Sequence, residues 1–352
     1  MTPGLALRLP DRLRPRVVVW EITRACNGRC VHCGSLAGRP RAQELSTREA
    51  LDVIDELAAL GCQTVTFSGG EPLLRPDWAE LGRRVRAQGL RLELMSNGLL
   101  IEAQLAEILA ADLASVSLSV DGPARAHDRL RGAAGHLEQV LGAARALAAR
   151  GMRVGAVTQV GRANMGMLAE THDLIRENGF RGWLIQLTLP YGRAADCSDE
   201  LVLAPSELPQ LEAELLAVID GSPLRIQIAD TIGYFSVNEP RLRSGGARLE
   251  GFWGGCQAGL QALGLTSDGT VRGCLSMPPE LDEGNVRDRP LTEIWLDEKA
   301  FSYNRCFSTD RLQGACADCA FAPMCRGGCT ALAQVSTGSV YRNSYCLRTC
   351  GS

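Results

Sequence analysis

WEITRACNGRCVHCG, residues 20–34, holds three cysteines, Cys26, Cys30 and Cys33, in the spacing C-x3-C-x2-C. Three thiolates this close together can hold three corners of one compact metal cluster and leave its fourth metal without a protein ligand. An open metal position of this kind is where substrate chemistry takes place. Residues 17–22 are predicted to form a buried strand, so the cysteines follow its C-terminal end, where barrels and open α/β sheets place their active sites.

Two other interpretations of these cysteines stay open on the spacing alone. A structural zinc site normally takes four ligands, and His32 lies in the same loop, but its position directly beside Cys33 makes a tetrahedron difficult to close. Cysteines can also be small buried residues that bind nothing. We expect that simpler role for Cys62, which lies between a predicted helix end and a strand.

The composition excludes several classes of protein. The chain has 352 residues, 45% of them hydrophobic and 22% charged, with a net charge of −3, which suits one large domain and a smaller one. The arginines are interspersed rather than clustered, so we expect no nucleic-acid partner. No apolar run reaches the roughly 18 residues of a membrane helix, and the N-terminus has no signal-peptide core, so we expect a cytoplasmic protein without a membrane contact.

Fourteen cysteines in a chain without a secretion signal call for an explanation. Disulfides are disfavoured in a reducing compartment, so clustered cysteines there usually indicate metal or redox chemistry. Eleven of the fourteen fall into two groups, three at positions 26–33 and eight between residues 256 and 346. The second group lies in a stretch of short elements, which metal rather than a hydrophobic core would hold together.

Strand and helix patterns alternate six times over about 200 residues, which predicts parallel βα units. We therefore predict an α/β fold, a partial, open (β/α)6 barrel of the TIM type, followed by a small cysteine-rich domain. The predicted divisions are an N-terminal extension (1–15), the barrel (16–222), a bridge (223–255) and the cysteine-rich domain (256–352). The predicted strands are 17–22, 64–68, 91–95, 115–120, 153–160 and 182–189, and the predicted helices are 46–60, 77–88, 102–111, 137–150, 167–178 and 206–219.

Glycine and polar residues collect just after these strands, as expected if one mouth of the barrel is the working face. Residues 69–72, GGEP, offer backbone that a ligand can approach closely and a carboxylate, that of Glu71, for an ammonium group. Asn97 and Ser119 could hydrogen-bond sugar hydroxyls, as could Asp121, although all three are also common turn residues. Arg131 is a candidate partner for a ligand carboxylate; the alternative is a solvated arginine in a loop.

The cysteine loop followed by GGEP resembles the radical S-adenosylmethionine (SAM) enzymes over roughly residues 17–219. The resemblance implies that Cys26, Cys30 and Cys33 bind a 4Fe-4S cluster whose open iron is chelated by the methionyl group of SAM. One electron then cleaves the sulfonium to methionine and a 5′-deoxyadenosyl radical, which abstracts hydrogen from a substrate. By the same resemblance Gly69, Gly70 and Glu71 hold the methionyl amine, and Asn97 and Ser119 lie near the ribose.

The C-terminal cysteines resemble the SPASM extension of these enzymes, which carries two auxiliary 4Fe-4S clusters and would bring the total to three. The resemblance assigns an outer and an inner set of ligands. The outer set is Cys316, Cys319, Cys325 and Cys346, and the inner set is Cys256, Cys274 and Cys329. Two fully ligated clusters need eight thiolates, so either Cys306 is the eighth or the inner cluster keeps an open iron; paired zinc sites are the alternative for the whole group. Cys350 and Cys197 are left over, the latter in a loop that could reach the barrel mouth.

One position departs from the sulfatase-maturing members of the family, which carry an aspartate proton acceptor where this chain has Leu275. The resemblance therefore does not extend to oxidation of a sulfatase side chain, and the catalytic base is not identified. Other residues could serve as the base, although most of them are expected to be surface or turn residues. They are Asp230, Tyr234, Glu280, Asp282 and Tyr303.

SPASM enzymes mostly modify ribosomally made peptides by crosslinking, thioether formation, oxidation or epimerisation, which is the function we expect here. The alternatives are dehydrogenation of a small alcohol such as an aminocyclitol or sugar, and a non-enzymatic metal-binding interaction module. About 16 residues precede the first predicted strand, so we expect no leader-binding domain in the chain and a separate leader-binding protein as a possible partner. The resemblance also implies an electron donor such as a flavodoxin or ferredoxin.

Overall fold

The structure is a computed structural model that describes residues 13–244 and 251–350. Most of the predicted N-terminal extension, residues 245–250 of the predicted bridge, and the last two residues lie outside the described residues. In the part that is described, no helix combines the length and the apolar character needed to cross a membrane.

The six predicted βα strands are present and lie side by side in parallel in chain order. The strands are β1 (Val17–Thr23), β2 (Thr64–Gly69), β3 (Arg91–Ser96), β4 (Ser115–Ser119), β5 (Val154–Val160) and β6 (Gly182–Leu187). The helices that follow them are α1 (Thr47–Ala59), α2 (Trp78–Ala87), α3 (Leu105–Ala110), α4 (Ala124–Arg131), α5 (His136–Ala148), α6 (Leu168–Glu177), α7 (Arg193–Asp196), α8 (Ser198–Leu201) and α9 (Leu208–Ile219). The predicted α/β class, a partial barrel, is confirmed.

Helix α1 shows how the local sequence sets these elements. The Ser46 side chain accepts a hydrogen bond from the N–H of Glu49, and the Glu49 carboxylate accepts one from the N–H of Ser46. These two bonds form a capping box. The buried face repeats at the spacing of an amphipathic helix, with Ala50, Val53 and Leu57 turned to the sheet. The chain leaves the helix at a left-handed glycine with φ +76° at residue 61, a conformation that favours glycine.

The sheet extends beyond the six predicted strands on both sides. Strand β7 (Arg225–Ile228) pairs in parallel with β6, and β8 (Ala262–Leu265) pairs in parallel with β1. Two antiparallel strands, β9 (Thr270–Arg272) and β10 (Asp282–Asn285), complete the order β10-β9-β8-β1-β2-β3-β4-β5-β6-β7. Since β1 lies between β8 and β2, it does not pair with β7, and the barrel stays open.

These four strands were missed by the sequence analysis, which ended the barrel at residue 222 and treated the cysteine-rich segment as a separate unit. Each is only three or four residues long, too short to show a period-two pattern. The pairing of β8 with β1 joins distant parts of the chain, as where Val18 lies opposite Leu263. The cysteine-rich segment therefore continues the barrel sheet.

Five short helices complete the described chain, with one buried ion pair holding the predicted bridge. They are α10 (Glu239–Arg243), α11 (Leu291–Leu296), α12 (Ser302–Arg305), α13 (Ala322–Cys325) and α14 (Thr330–Thr337). The Glu239 carboxylate accepts from Arg243 Nε at 2.9 Å and from the backbone N–H groups of Tyr234, Phe235 and Trp253. A buried carboxylate with this many donors fixes the path of the chain from β7 to the first inner cysteine.

Candidate active site

The C-terminal ends of the parallel strands surround a cavity of about 440 Å³. The cysteine loop forms one wall, the ends of β2 to β6 form the next, and Leu275, Ser276 and Pro279 of the C-terminal segment complete the lining. Eight residues singled out from the sequence line this cavity: Cys26, Cys30, Cys33, Gly69, Gly70, Asn97, Ser119 and Arg131. Parallel topology explains the convergence, because the ends of neighbouring parallel strands meet at one edge of the sheet.

Backbone contacts from two later helices hold the cysteine loop in place. The N–H of Val31 donates to the carbonyl of Leu130 in α4 at 2.9 Å, and the N–H of Arg193 in α7 donates to the Cys33 carbonyl at 3.0 Å. Arg193 adds Nε to the Cys30 carbonyl at 2.8 Å. The loop is therefore fixed at both of its later cysteines.

The three thiols of this loop have the chemistry of iron–sulfur ligands. A Cβ placed on Gly28 would lie 3.5 Å from Cys26 Sγ and 3.6 Å from Cys30 Sγ, so two of the thiols lie on the same side of this glycine. Burial raises the pKa of the Cys26 thiol, and the nearby charges of Cys30 and Cys33 raise it further. The guanidinium of Arg131 lies 3.6 Å from Cys30 Sγ, where a cation offsets thiolate charge.

The three thiols all line this cavity. Across residues 13–244 and 251–350, no three His, Cys, Asp or Glu side chains converge as a ready site for a single metal ion. A cluster distributes its cysteine ligands over several metals and needs no single focus. The three cysteines therefore fit a 4Fe-4S cluster, and Cys26, Cys30 and Cys33 are the residues that would hold it.

Gly69 and Gly70 pack directly against the chain that leads into the cysteine loop. A Cβ on Gly69 would lie 2.3 Å from the Thr23 carbonyl oxygen, and one on Gly70 would lie 2.2 Å from that of Ala25. The N–H groups of Gly70 and Glu71 donate to those same carbonyls at 2.9 and 2.7 Å. Only glycine fits at these two positions, and the contact sets the distance between the GGEP turn and the first cysteine.

Glu71 is placed differently from what its proposed contact with a ligand ammonium suggests. Its side chain is fully buried behind the cavity wall. The carboxylate accepts from Ser96 Oγ at 3.0 Å, from the N–H of Asn97 at 2.8 Å and from the N–H of Leu73 at 3.2 Å. It therefore joins the ends of β2 and β3, while its contact with the methionyl amine stays a prediction.

Asn97 and Ser119 both line the cavity, at the ends of β3 and β4. Asn97 Nδ2 donates to Asn27 Oδ1 at 2.7 Å and lies 3.8 Å from Cys26 Sγ. The Asn97 side-chain oxygen also accepts from the N–H of Leu99, as the turn-capping alternative requires. Contact with a ribose stays a prediction for both residues.

Arg131 lies in helix α4 and is buried, in contrast to the solvated loop arginine considered from the sequence. Its Nε donates to Asp121 Oδ2 at 2.7 Å, and His32 Nε2 lies 3.3 Å from the same oxygen. Burial by itself raises the pKa of Asp121, but the charges of Arg131 and His32 outweigh it and hold that pKa well below its ordinary value. Arg131 thus combines a carboxylate partner with a place in the cavity wall beside Cys30.

A chain of hydrogen bonds from Asp121 fixes the tautomers of two further histidines. The N–H of Asp121 donates to His127 Nδ1 at 3.0 Å, so the proton of a neutral His127 lies on Nε2. That nitrogen is 2.7 Å from His136 Nδ1, which must then accept. Burial lowers the pKa of His127 to about 3 and that of His136 to about 4, so both rings are neutral at pH 7.

Several cavity residues were missed by the sequence analysis. Gln159 and Gln186 face the cavity from within β5 and β6, and Tyr191, Arg193 and Arg272 complete the wall. The two glutamines carried a signal, since a polar residue at an inward position of a buried strand is unusual. Tyr191 and Arg193 lie outside the strands, and Arg272 is the last residue of the short strand β9. Tertiary contacts bring all three to the cavity.

The inner set of cysteines is brought together by the structure. Burial raises the pKa of Cys274 and Cys329, and the charge of Cys256 raises both further. The charge of Asp230 acts on the same two thiols. The N–H of Cys329 donates to Tyr234 Oη at 3.0 Å. Three thiols and one carboxylate therefore lie near enough for their charges to act on one another.

The outer set of cysteines also lies together, closer to the surface. Burial and the charges of Cys346, Cys316 and Cys319 raise the pKa of Cys325 to about 12. All four are half-buried. Iron–sulfur ligation by either set stays a prediction.

The remaining cysteines are distributed elsewhere. Cys306 is exposed. Cys350 is half-buried beside Cys346, Cys197 is exposed, and Cys62 is buried with its pKa raised to about 12 by desolvation.

Leu275 lines the cavity, whereas none of the five alternative bases is among its lining residues in the described chain. Tyr234 Oη donates to the Asp230 carbonyl at 2.6 Å, and Tyr303 Oη donates to Met277 Sδ at 3.3 Å. Burial raises the pKa of both phenols. Asp282 is paired with Arg272 and Glu280 is exposed, so the structure does not single out a base.

Comparison with known proteins agrees with this geometry. A profile of the radical SAM superfamily matches residues 20–189, and a profile of the SPASM iron-sulfur cluster-binding domain matches residues 256–320. The AdoMet-dependent heme synthase of Methanosarcina barkeri is 31% identical over 344 residues, covering 95% of this chain and 96% of that protein. The mycofactocin maturase MftC of Mycobacterium ulcerans is 33% identical over 92% of this chain and 85% of its own length.

Among solved structures, SuiB of Streptococcus suis bound to SAM superposes with a TM-score of 0.71. The match has 17% identity and covers 95% of this chain and 77% of SuiB, so it shows a shared fold. The relatives of 30% identity or more show that the protein is an enzyme, and its barrel is partial. It belongs to the radical SAM superfamily and carries a C-terminal SPASM domain, which implies that it binds iron–sulfur clusters and SAM.

Proposed function

We propose that this enzyme modifies a ribosomally made peptide by abstracting hydrogen from one of its side chains. When bound, the cluster and SAM supply a 5′-deoxyadenosyl radical as the abstracting species. Three clusters are proposed, one held by Cys26, Cys30 and Cys33 and one held by each C-terminal set. The relative named mycofactocin maturase supports a maturation function of this kind.

The observation that carries the proposal is the size and extent of the cavity. At about 440 Å³ it has room for one drug-sized molecule, which SAM would largely fill. It continues from the cysteine loop to Leu275 and Ser276. A second substrate therefore has to present a single reacting group at this end, as a peptide does with one projecting side chain.

The residues of the chain have separate tasks in this proposal. Gly69 and Gly70 let backbone approach the methionyl group, and Asn97 offers an amide beside Cys26. Arg131, held by Asp121, offers a cation to the methionyl carboxylate. Leu275 contributes an apolar wall that excludes water from the reacting end.

The test uses anaerobic, cluster-loaded protein, SAM, a reductant and the peptide encoded beside its gene. We expect 5′-deoxyadenosine and a change in peptide mass, such as a loss of two hydrogens for a crosslink or oxidation. The triple variant Cys26→Ala/Cys30→Ala/Cys33→Ala should form neither product while retaining the iron of the C-terminal sets. Cys197→Ala, which removes an exposed cysteine, is the control and should behave as wild type.

Formation of 5′-deoxyadenosine by the triple variant would contradict the assignment of the first cluster. Formation of 5′-deoxyadenosine by the wild type, with no mass change in any neighbouring peptide, would contradict the peptide substrate and leave the reaction class standing.

A second candidate is a carboxylated porphyrin, favoured by the relative named heme synthase, which this chain covers over 96% of its length. Two arginines of the cavity wall, Arg24 and Arg193, form no ion pair with a carboxylate in the described residues and could face such a substrate. Incubation with an iron porphyrin bearing propionate side chains, followed by mass spectrometry, separates the two candidates. Small-alcohol dehydrogenation, the remaining alternative, would appear as loss of two hydrogens from an aminocyclitol or sugar.

A further inference from the structure

The end of the chain differs in charge from the rest. Residues 301–352 contain five arginines and no lysine against two aspartates and no glutamate, a net charge of +3, whereas the whole chain carries −3. The first 300 residues therefore carry −6. The outer cysteine set lies within this positive segment.

Three of the five arginines are exposed, and two of them lie over aromatic rings. Arg311 lies over the ring of Tyr341 at 4.3 Å, and Arg348 lies over the ring of Phe321 at 4.7 Å. The third, Arg342, has its Cδ 3.8 Å from the place a Cβ on Gly314 would occupy, two residues before Cys316.

None of these three forms an ion pair with a residue that the structure describes, so their charges are directed to solvent. The other two arginines are half-buried and serve the interior. Arg305 Nε donates to the Gly259 carbonyl at 2.8 Å, and Arg326 donates to the Asn304 carbonyl. The exposed charge at this end thus comes from three arginines against Asp310 and Asp318.

The surface between the exposed arginines is small and apolar. It covers the chain from Gly314 to Met324, in which the exposed apolar positions are Gly314, Ala315, Ala317, Ala320, Pro323 and Met324. Met324 is 53% exposed, one residue before Cys325. Because alanine side chains are small and glycine has none, a partner's surface can come close to the half-buried outer cysteines.

We propose that this surface, defined by residues 314–324 with Arg311, Arg342 and Arg348, docks a small acidic protein that carries one electron. Each cleavage of SAM takes up one electron, which oxidises the carrier by one electron and yields methionine and the 5′-deoxyadenosyl radical. A small apolar centre with a positive rim suits a transient redox partner of opposite charge, because such interfaces are small and are steered by electrostatics. The inference rests on the proposed outer cluster and is independent of the substrate.

The experiment compares binding of reduced flavodoxin, an acidic carrier, to cluster-loaded wild type and to the variant Arg311→Glu/Arg342→Glu/Arg348→Glu. We expect roughly tenfold or more weaker binding by the variant at low salt, together with loss of most of the salt dependence seen for wild type. Cleavage of SAM driven by dithionite, a small reductant that needs no docking surface, should stay at the wild-type rate. Iron content should also be unchanged.

The matched control is Arg83→Glu/Arg150→Glu/Arg153→Glu, which changes the net charge equally at exposed arginines outside this surface. If both triple variants bound flavodoxin equally weakly, the change in net charge alone would explain the effect, and the proposal would be overturned. Unchanged binding by the first variant, or no binding by wild type, would overturn it as well. A salt-sensitive dimer in sedimentation that the first variant abolishes would assign the surface to a second copy of the chain instead.

Wild type that binds the carrier but holds no iron at the outer set would contradict the proposed outer cluster, and with it the electron transfer through this surface.

Discussion

The buried carboxylate of Glu71 should make the stability of this enzyme depend on pH in a way that a single substitution removes. Burial raises the pKa of Glu71 to about 7, although hydrogen bonds from the N–H groups of Asn97 and Leu73 and from the hydroxyl of Ser96 oppose the shift. Glu71→Gln keeps the size of the side chain and removes its ionisation.

The magnitude follows from the shift. The ordinary pKa is 4.5 and the folded value is about 7, a difference that corresponds to about 3 kcal/mol. Because the folded state binds the proton more tightly than the unfolded chain, this stabilisation is complete below about pH 4.5 and is lost as the pH rises through about 7. Since the side chain is fully buried, solvent screening does not reduce the effect substantially.

Glutamine has its own cost at this position. One of the two carboxylate oxygens becomes an NH2 group that faces a backbone N–H, either that of Asn97 or that of Leu73. Loss of one buried hydrogen bond with an unsatisfied donor costs about 1–3 kcal/mol. The variant should therefore be less stable than wild type at pH 5, and the difference should shrink by up to about 3 kcal/mol by pH 8.

Infrared difference spectroscopy measures the titration directly. Wild type should show a protonated carboxyl stretch that disappears with a midpoint near pH 7 and is absent from Glu71→Gln. Urea midpoints of the two proteins at equal iron content then give the stability difference at each pH. A carboxyl band that titrates near pH 4.5, or a stability difference that is constant from pH 5 to 8, would refute the reasoning.

Three further substitutions test other parts of the site. Gly70→Ala places a Cβ 2.2 Å from the Ala25 carbonyl oxygen, so we expect the cysteine loop to shift. The free energy of unfolding should fall by about 1–3 kcal/mol or more, and a colorimetric assay should show a lower iron content. Asp121→Asn leaves the buried guanidinium of Arg131 without its partner and should cost about 3–5 kcal/mol in the urea midpoint. Ser46→Ala removes the cap of α1 and should lower stability by about 1 kcal/mol without affecting SAM cleavage.

Matched substitutions separate these effects from general damage. Gly38 follows the cysteine loop, and a Cβ added there would meet nothing within 4 Å. Gly38→Ala should therefore keep the iron content of wild type. Asp52→Asn breaks an exposed pair with Arg48 and should change stability by less than about 1 kcal/mol. If Gly38→Ala lost as much iron as Gly70→Ala, or if the two aspartate variants were equally stable, the explanations based on close packing and burial would be wrong.

The barrel strands and the first cysteine loop were readable from local pattern because each has a local cause. Strands β1 to β6 alternate with amphipathic helices at regular spacing, and the period of the apolar residues specifies each element by itself. Gly69 and Gly70 follow a strand immediately, which marks a close backbone approach. The spacing of Cys26, Cys30 and Cys33 is likewise contained in eight consecutive residues.

The strands β7 to β10 were not readable in the same way. They have three or four residues each, and the place of β8 in the sheet depends on a partner far away in the chain, as in the pairing of Trp20 with Leu265. A strand this short has no distinctive pattern of its own. Most of its stability comes from hydrogen bonds to the neighbouring strand and from packing against neighbouring side chains. The same reason explains why Arg272 was not recognised as part of the cavity wall.

The sequence by itself determined the α/β class, the order of the six βα units and the spacing of the three thiols in the first cysteine loop. Spacing and periodicity are properties of neighbouring residues. Tertiary structure alone decided that Glu71 is enclosed by Ser96, Asn97 and Leu73, that Arg131 is paired with Asp121, and that β8 extends the barrel beside β1. Burial and charge pairing depend on which distant segments meet, and that is settled only when the whole chain packs.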